Sequence, residues 1–313
     1  MSETVCHTCG EPVPPDAPQV GGHTYCTVHR QHLNRNRKSF WGTSAIAILG
    51  VVIFTLLVEF VVSIAKINLS GTPQLVASII LALVPALLWL AAFYLLDRDE
   101  PEPKGYVLGL TLLGGGAALI IGIPVVRNLF QVQNWLGQTP WYLQLLGSIF
   151  IIGFTQEFCK YAVVRYTIFF DAEFDERVDG IIYGSAAGVG YGTVLALQNL
   201  LSVGGAQLGL TAIHIAIAIL AQASFGGITG YFLGRAKFDN MGRLWLPAGI
   251  SLAALLNGLV TWLLGEVSRS GLALKPINGL ILAAVIATLT FTILALESIH
   301  LGQHSEQDHN LLT

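Results

Sequence analysis

Charge is what this chain has least of. Only 11% of its 313 residues are charged, whereas a soluble domain carries about 25%. That scarcity excludes an ordinary water-soluble globular protein. Cysteine is scarce too: there are four, and Cys6, Cys9 and Cys26 all fall near the N-terminus. Three thiols cannot all pair with one another, so a disulfide framework is not expected there. The first forty residues have no apolar core of the kind a cleavable signal peptide needs, and none is expected. The net charge of −3 says little, and no nucleic-acid partner is expected.

What the chain has is apolar residues, 53% of the total, in blocks of about twenty, long enough to cross a bilayer. Candidate spans lie at about 42–66, 74–96, 106–130, 143–170, 178–203, 208–234, 244–265 and 276–300. The expected fold is an all-α polytopic membrane protein of about eight transmembrane helices, with a small zinc-stabilised unit at the N-terminus. The expected divisions are a cytosolic unit at 1–40, a transmembrane bundle at 41–300 and a cytosolic tail at 301–313. Arg30, Arg35, Arg37 and Lys38 precede the first span, a flank that stays in the cytosol. Alternation then puts Arg98, Lys104, Arg177, Arg235, Lys237 and Arg243 inside, and Lys66, Arg127, Arg269 and Lys275 outside. Both termini are therefore expected in the cytosol.

The N-terminal unit carries Cys6-His7-Thr8-Cys9 and Cys26-Thr27-Val28-His29. Two pairs, each with a two-residue gap, suit a tetrahedral zinc ion, because each tight knuckle presents two ligands to one metal. His23 or His32 is an alternative fourth ligand. Pro12, Pro14, Pro15, Pro18, Gly21 and Gly22 lie between the pairs, which leaves no room for a long helix. So short a segment has too little core to fold alone, and zinc would supply the missing stability. Four protein ligands make a closed, structural site with no open position for catalysis. Thiolate ligands also favour a reducing compartment.

Polar groups inside apolar runs are the other signal, because they are costly in hydrocarbon and mark functional sites by default. Gln156, Glu157 and Lys160 sit within the fourth span, and Gln198 and Asn199 in the fifth. Glu157 and Lys160 are three apart, so carboxylate and ammonium share a helix flank. Gly180, Gly184, Gly188 and Gly192 recur every fourth residue, as do Gly226, Gly230 and Gly234. Such ridges let helix backbones approach closely. Gln222 lies one turn from the second ridge, and Asn257 near the middle of the seventh span. By rise per residue, Gln156, Gln222 and Asn257 all lie about 20 Å into their helices, at one depth. A buried polar pocket is expected there, with simple helix–helix adhesion as the plainer reading. His214 is expected to be a hydrogen-bonded packing residue rather than a ligand. Glu59 is expected to pair with Lys66 at the interface. Pro85 and Pro124 should kink their spans, and Gly114-Gly115-Gly116 should loosen the third.

These motifs, taken in order, resemble the PrsW-like intramembrane proteases over roughly residues 94–265. Tyr94-Leu-Leu-Asp-Arg-Asp-Glu-Pro-Glu-Pro103 resembles the family's D-R-x-E-P-E-P loop, and Gln156-Glu-Phe-Cys-Lys160 its E-E-x-x-K. Asp179-Gly-Ile-Ile-Tyr-Gly184 through Gln198-Asn199 resembles its D-G-x-x-Y-G…E-N helix. Ala221-Gln-Ala-Ser-Phe-Gly226 resembles A-H-A-x-F-G, and Asn257-Gly-Leu-Val resembles a late H-G/A-L-x segment. The resemblance implies hydrolysis of peptide bonds within the bilayer. The work would fall to glutamates and histidines, acting as general base or holding a metal. It also implies a bacterial cytoplasmic membrane. Four of the implied positions depart: Gln156 and Gln198 stand for glutamates, and Gln222 and Asn257 for histidines. Only Glu157 and Lys160 keep their charge.

Amides conserve size and hydrogen bonding but take up no proton near neutral pH, and they are poor zinc ligands. A metal in the membrane core is therefore not expected. The expected function is that of a catalytically impaired relative, a pseudoenzyme that binds or regulates membrane-protein partners in the bilayer. Its zinc unit would recruit a cytosolic protein. The alternatives are an active endopeptidase using Glu157, and a small-molecule carrier or channel. The sequence leaves the oligomeric state open.

Overall fold

A computed structural model describes residues 4–14, 17, 19–20, 23–33, 38–67, 69–96, 104–203, 208–269 and 277–310. A short hairpin, β1 (Gln19–Val20) with β2 (His23–Thr24), leads to α1 (Thr27–Leu33). Long helices follow: α2 (Lys38–Ala65), α3 (Gly71–Leu96) and α4 (Lys104–Ala117). Two wider π-helical turns, Ala118–Gly122 and Val125–Leu129, flank Pro124, which has no N–H to give the ladder. Short helices α5 (Val132–Trp135) and α6 (Trp141–Gly147) turn the chain back. A third π turn, Ser148–Gly153, opens α7 (Phe154–Thr167). The bundle closes with α8 (Arg177–Val203), α9 (Leu208–Phe238), α10 (Trp245–Arg269) and α11 (Ile277–Asn310).

Among the described residues, eight helical stretches are long and apolar enough to cross a membrane, and each overlaps a span expected from sequence. The last helix continues to Asn310, so much of the segment expected as a tail is helical. The Asp97–Pro103 motif lies outside the described residues.

Two helices form the centre. In α8 and α9, 83% and 78% of the most apolar stretch is buried, against 22–39% in the other six spans. The glycine ridges explain this. A Cβ on Gly180, Gly184 or Gly188 would fall 2.3, 2.2 or 2.1 Å from the carbonyl oxygen of Gly230, Gly226 or Gln222. The two backbones are in direct contact, as small-residue ridges allow. Gly114 does not loosen α4: its missing side chain admits Ala187 O of α8, 2.1 Å from where a Cβ would be. The outer faces of α2 and α3 expose Ile53, Leu57, Phe60, Ile64, Ile80 and Leu87, as lipid-facing helices do.

One local expectation is corrected. Among the described residues no ion pair joins Glu59 to Lys66; the Glu59 carboxylate lies against Gly209, at the start of α9. The N-terminal segment packs on the bundle. Cys6, Val13 and Tyr25 belong to the same apolar cluster as Phe174, Val178 and Phe238 of the bundle.

Candidate functional site

Close backbone approach brings three polar helices to one point. A Cβ on Gly153 would fall 2.2 Å from Ala254 O, and one on Gly258 2.3 Å from Ile149 Cα. The π turn and α10 therefore touch, and Asn257 arrives beside Gln156. The α8–α9 ridge does the same for Gln222, whose carbonyl lies under Gly188. π turns are common at such sites because they re-aim side chains within a helix.

The result is one hydrogen-bonded network. Lys160 Nζ donates to Glu157 Oε1 at 2.5 Å, Gln222 Oε1 at 2.8 Å and Gln222 O at 3.4 Å. An ammonium has three donors, and here each has an acceptor. Gln222 Nε2 donates to Gln156 Oε1 at 2.7 Å. Asn257 Nδ2 donates to Gln156 Oε1 at 2.9 Å and to Glu157 Oε1 at 2.7 Å. Thr229 Oγ1 donates to Glu157 Oε2 at 3.0 Å. Both carboxylate oxygens are thus engaged, and the ion-paired side chains are completely buried.

Above this network, on the side away from the N-terminal unit, opens a cavity of about 650 Å³. Gln156, Gln222 and Asn257 line its floor, and Gln198 lines its wall without joining the floor's hydrogen bonds. Asn199, expected beside it, also lines the wall. The four positions expected to converge do share one space. Glu157 and Lys160 do not line it; they sit behind the amides. His214 lines the cavity and is exposed rather than packed into the core. Val126, Leu195, Ile215, Phe225, Val260 and Leu264 make much of the wall apolar.

Several residues here were not foreseen. Thr229 is seven positions past Gln222, two turns on, so the depth argument applied to Gln222 would have found it. Tyr191 lies among the ridge glycines, and its buried hydroxyl faces the cavity without a protein partner. Asp179, by contrast, does local work: Oδ2 accepts the backbone N–H groups of Asp175 at 2.9 Å and Glu176 at 2.6 Å, capping the start of α8.

A second cluster lies at the N-terminal face. The ligand atoms of Cys6, Cys9, Cys26 and His29 all lie within 4.8 Å of one another. It is the one such group among the described residues. His29 Nδ1 is 3.1 Å from Cys26 Sγ and 3.8 Å from Cys6 Sγ. Zinc–sulfur and zinc–nitrogen bonds of about 2.3 and 2.0 Å require a spacing of roughly 3.6 Å. The first pair is a knuckle: Gly10 N–H donates to Cys6 O at 2.9 Å, with Gly10 at φ +72°. The second pair is not a knuckle. Cys26 precedes the first turn of α1, and a spacing of three on that turn puts His29 on the same face. The side chains of His23 and His32 lie outside the described residues.

Residues 102–295 match the model of the PrsW family intramembrane metalloprotease. The chain belongs to the PrsW family. It is 28% identical to Protease PrsW of Bacillus subtilis over 189 residues, covering 60% of this chain and 82% of that protein. It is 29% identical to Protease PrsW of Halalkalibacterium halodurans over 181 residues, covering 57% and 79%. It is also 29% identical to Protease PrsW of Geobacillus kaustophilus over 188 residues, covering 60% and 79%. No solved structure matches. The Cys/His cluster lies outside the PrsW match.

A metalloprotease family implies a metal in the bundle. The residues of this cavity do not fit one. Its floor offers amides, whose oxygens already accept hydrogen bonds from Lys160, Gln222 and Asn257. The one carboxylate beneath them has both oxygens engaged. Amides compete poorly with imidazole and carboxylate for zinc.

Proposed function

We propose that this chain is a PrsW-scaffold protein that holds a segment of a membrane-protein partner in its cavity and does not hydrolyse it. One observation carries the reading: the Glu157–Lys160 pair is sealed behind Gln156, Gln222 and Asn257. A general base must come within about 3 Å of the water it activates, and Glu157 faces its own hydrogen-bond donors instead. The amides that do face the cavity can donate and accept, which suits an extended peptide backbone. The apolar wall suits its side chains. Zinc at Cys6, Cys9, Cys26 and His29 would be structural, and the basic flanks would keep that unit and both termini in the cytosol.

The second reading is an endopeptidase that uses Glu157, and the family itself favours it, since the relatives named above are proteases. Mass spectrometry of newly formed N-termini in host membranes separates the two. We expect the wild type and Glu157→Gln to give the same termini. We expect new termini from a variant carrying Gln156→Glu, Gln198→Glu, Gln222→His and Asn257→His together. Cleavage by the wild type that disappears in Glu157→Gln would refute the binding reading. A carrier or channel finds no support in the family match.

A further inference from the structure

Among the described residues, polar contacts join the N-terminal unit to the bundle. His7 Nε2 donates to Lys237 O at 3.1 Å, and Tyr25 Oη donates to Phe238 O at 3.4 Å. These are the last carbonyls of α9, which no later turn of that helix can satisfy. A third contact concerns the metal cluster itself. His29 turns Nδ1 toward the thiols and leaves Nε2 4.0 Å from Asp175 Oδ2, in the loop between α7 and α8. Asp175 is not adrift, because its backbone N–H is held by Asp179 of the α8 cap.

A histidine that binds a metal through one ring nitrogen commonly donates the other N–H to a carboxylate, which fixes the ring and makes it a better ligand. The distance of 4.0 Å is about 1 Å beyond a direct bond. A side-chain rotation or one bridging water closes it. We propose that Asp175 is the outer partner of the N-terminal metal site, so that the site spans the N-terminal unit and the α7–α8 loop. Loading the ion then docks the unit onto the end of α9. The unit is too small to fold alone, and the ion would add to the apolar packing of Val13 and Tyr25 on the bundle, so its contacts with Lys237, Phe238 and Asp175 tighten when the ion binds. Asp175 is a positioning residue here, acting through His29. The inference rests on zinc binding at Cys6, Cys9, Cys26 and His29, and is independent of what the cavity does.

The test is zinc(II) affinity of the full-length chain in detergent, by competition with a chromogenic chelator. It is paired with hydrogen exchange with and without zinc. Asp175→Ala is expected to weaken zinc binding 10- to 100-fold, and Asp175→Glu to recover most of the loss. In the wild type, zinc is expected to slow exchange in residues 171–179 and 235–239 as well as in 4–33. In Asp175→Ala at saturating zinc, protection of 4–33 should remain while that of 171–179 is lost. Zinc affinity within twofold of wild type in Asp175→Ala, with the loop still protected, would overturn the shared site. A wild type that binds zinc no better than Cys6→Ser would overturn the zinc site itself.

Discussion

The Cys/His cluster at one face and the amide network inside the bundle each gather side chains from distant points of the chain. They differ in what those side chains are free to do. At the cluster, four donor atoms turn toward one another across a gap that suits an ion. At the network, amides and an ion pair turn toward one another, and the Gln156, Gln222 and Glu157 oxygens all accept hydrogen bonds within it. The first arrangement gathers ligand atoms with no bridging group between them, whereas the second holds its carboxylate and amide oxygens against the network's own donors. Polarity inside a membrane therefore marks a functional position without saying that chemistry happens there.

The largest effect that could break this contrast is metal content. Elemental analysis should find one zinc per full-length chain and none in a chain beginning at Phe40. A structural zinc site contributes on the order of 10–16 kcal/mol, so the outcome is close to all or none. Metal retained by the shortened bundle would show the cavity to be a metal site despite its amides.

Next in size is the buried ion pair. Lys160→Met leaves the Glu157 carboxylate buried with two neutral donors, and should cost about 3–5 kcal/mol in thermal or denaturant unfolding. Adding Glu157→Leu to it should recover much of that loss, because replacing a buried pair by apolar groups is often near neutral. A single Lys160→Met with no effect would mean that the charges are not buried together.

Both partners in these tests could be read from the sequence, and that sets the measure of what was legible. The spans follow from block length, and the α8–α9 contact from glycines every fourth residue. The shared depth of Gln156, Gln222 and Asn257 follows from rise per residue. What could not be read depends on contacts that no periodicity carries. Tyr25 and Phe238 are 213 residues apart, and nothing local announces their contact. The triple glycine of α4 read as looseness because its partner, Ala187, is on another helix. Most consequential, spacing placed Glu157 on the right flank but could not say that Asn257 and Thr229 would cover it.

The ridge offers a smaller test. Gly188→Val drives a side chain into Gln222 O at the floor of the cavity, and overpacking of this kind costs about 1–3 kcal/mol. Gly109→Ala on α4 meets nothing within 4 Å. It should be neutral or stabilising by up to about 1 kcal/mol, the ordinary gain from replacing a helical glycine.

The smallest effect bears most directly on the chemistry. Thr229 and Thr193 are both buried threonines on the central helices. Thr193 Oγ1 donates to Val189 O at 2.8 Å within its own helix, whereas Thr229 Oγ1 donates to Glu157 Oε2. Thr→Val changes little in shape, so Thr193→Val should be nearly silent in unfolding experiments. Thr229→Val removes the hydroxyl that donates to one oxygen of a buried carboxylate. Hydrogen bonds to charged groups contribute about 1.5–3 kcal/mol in soluble proteins, and side-chain bonds between membrane helices average about 0.6. A loss of about 1–2 kcal/mol from Thr229→Val, beyond that of Thr193→Val, is the expected result for a charged Glu157 held by its neighbours. Equal losses would mean that Glu157 does not depend on that donor. Its second oxygen could then turn to water, and an endopeptidase using Glu157 would regain its case.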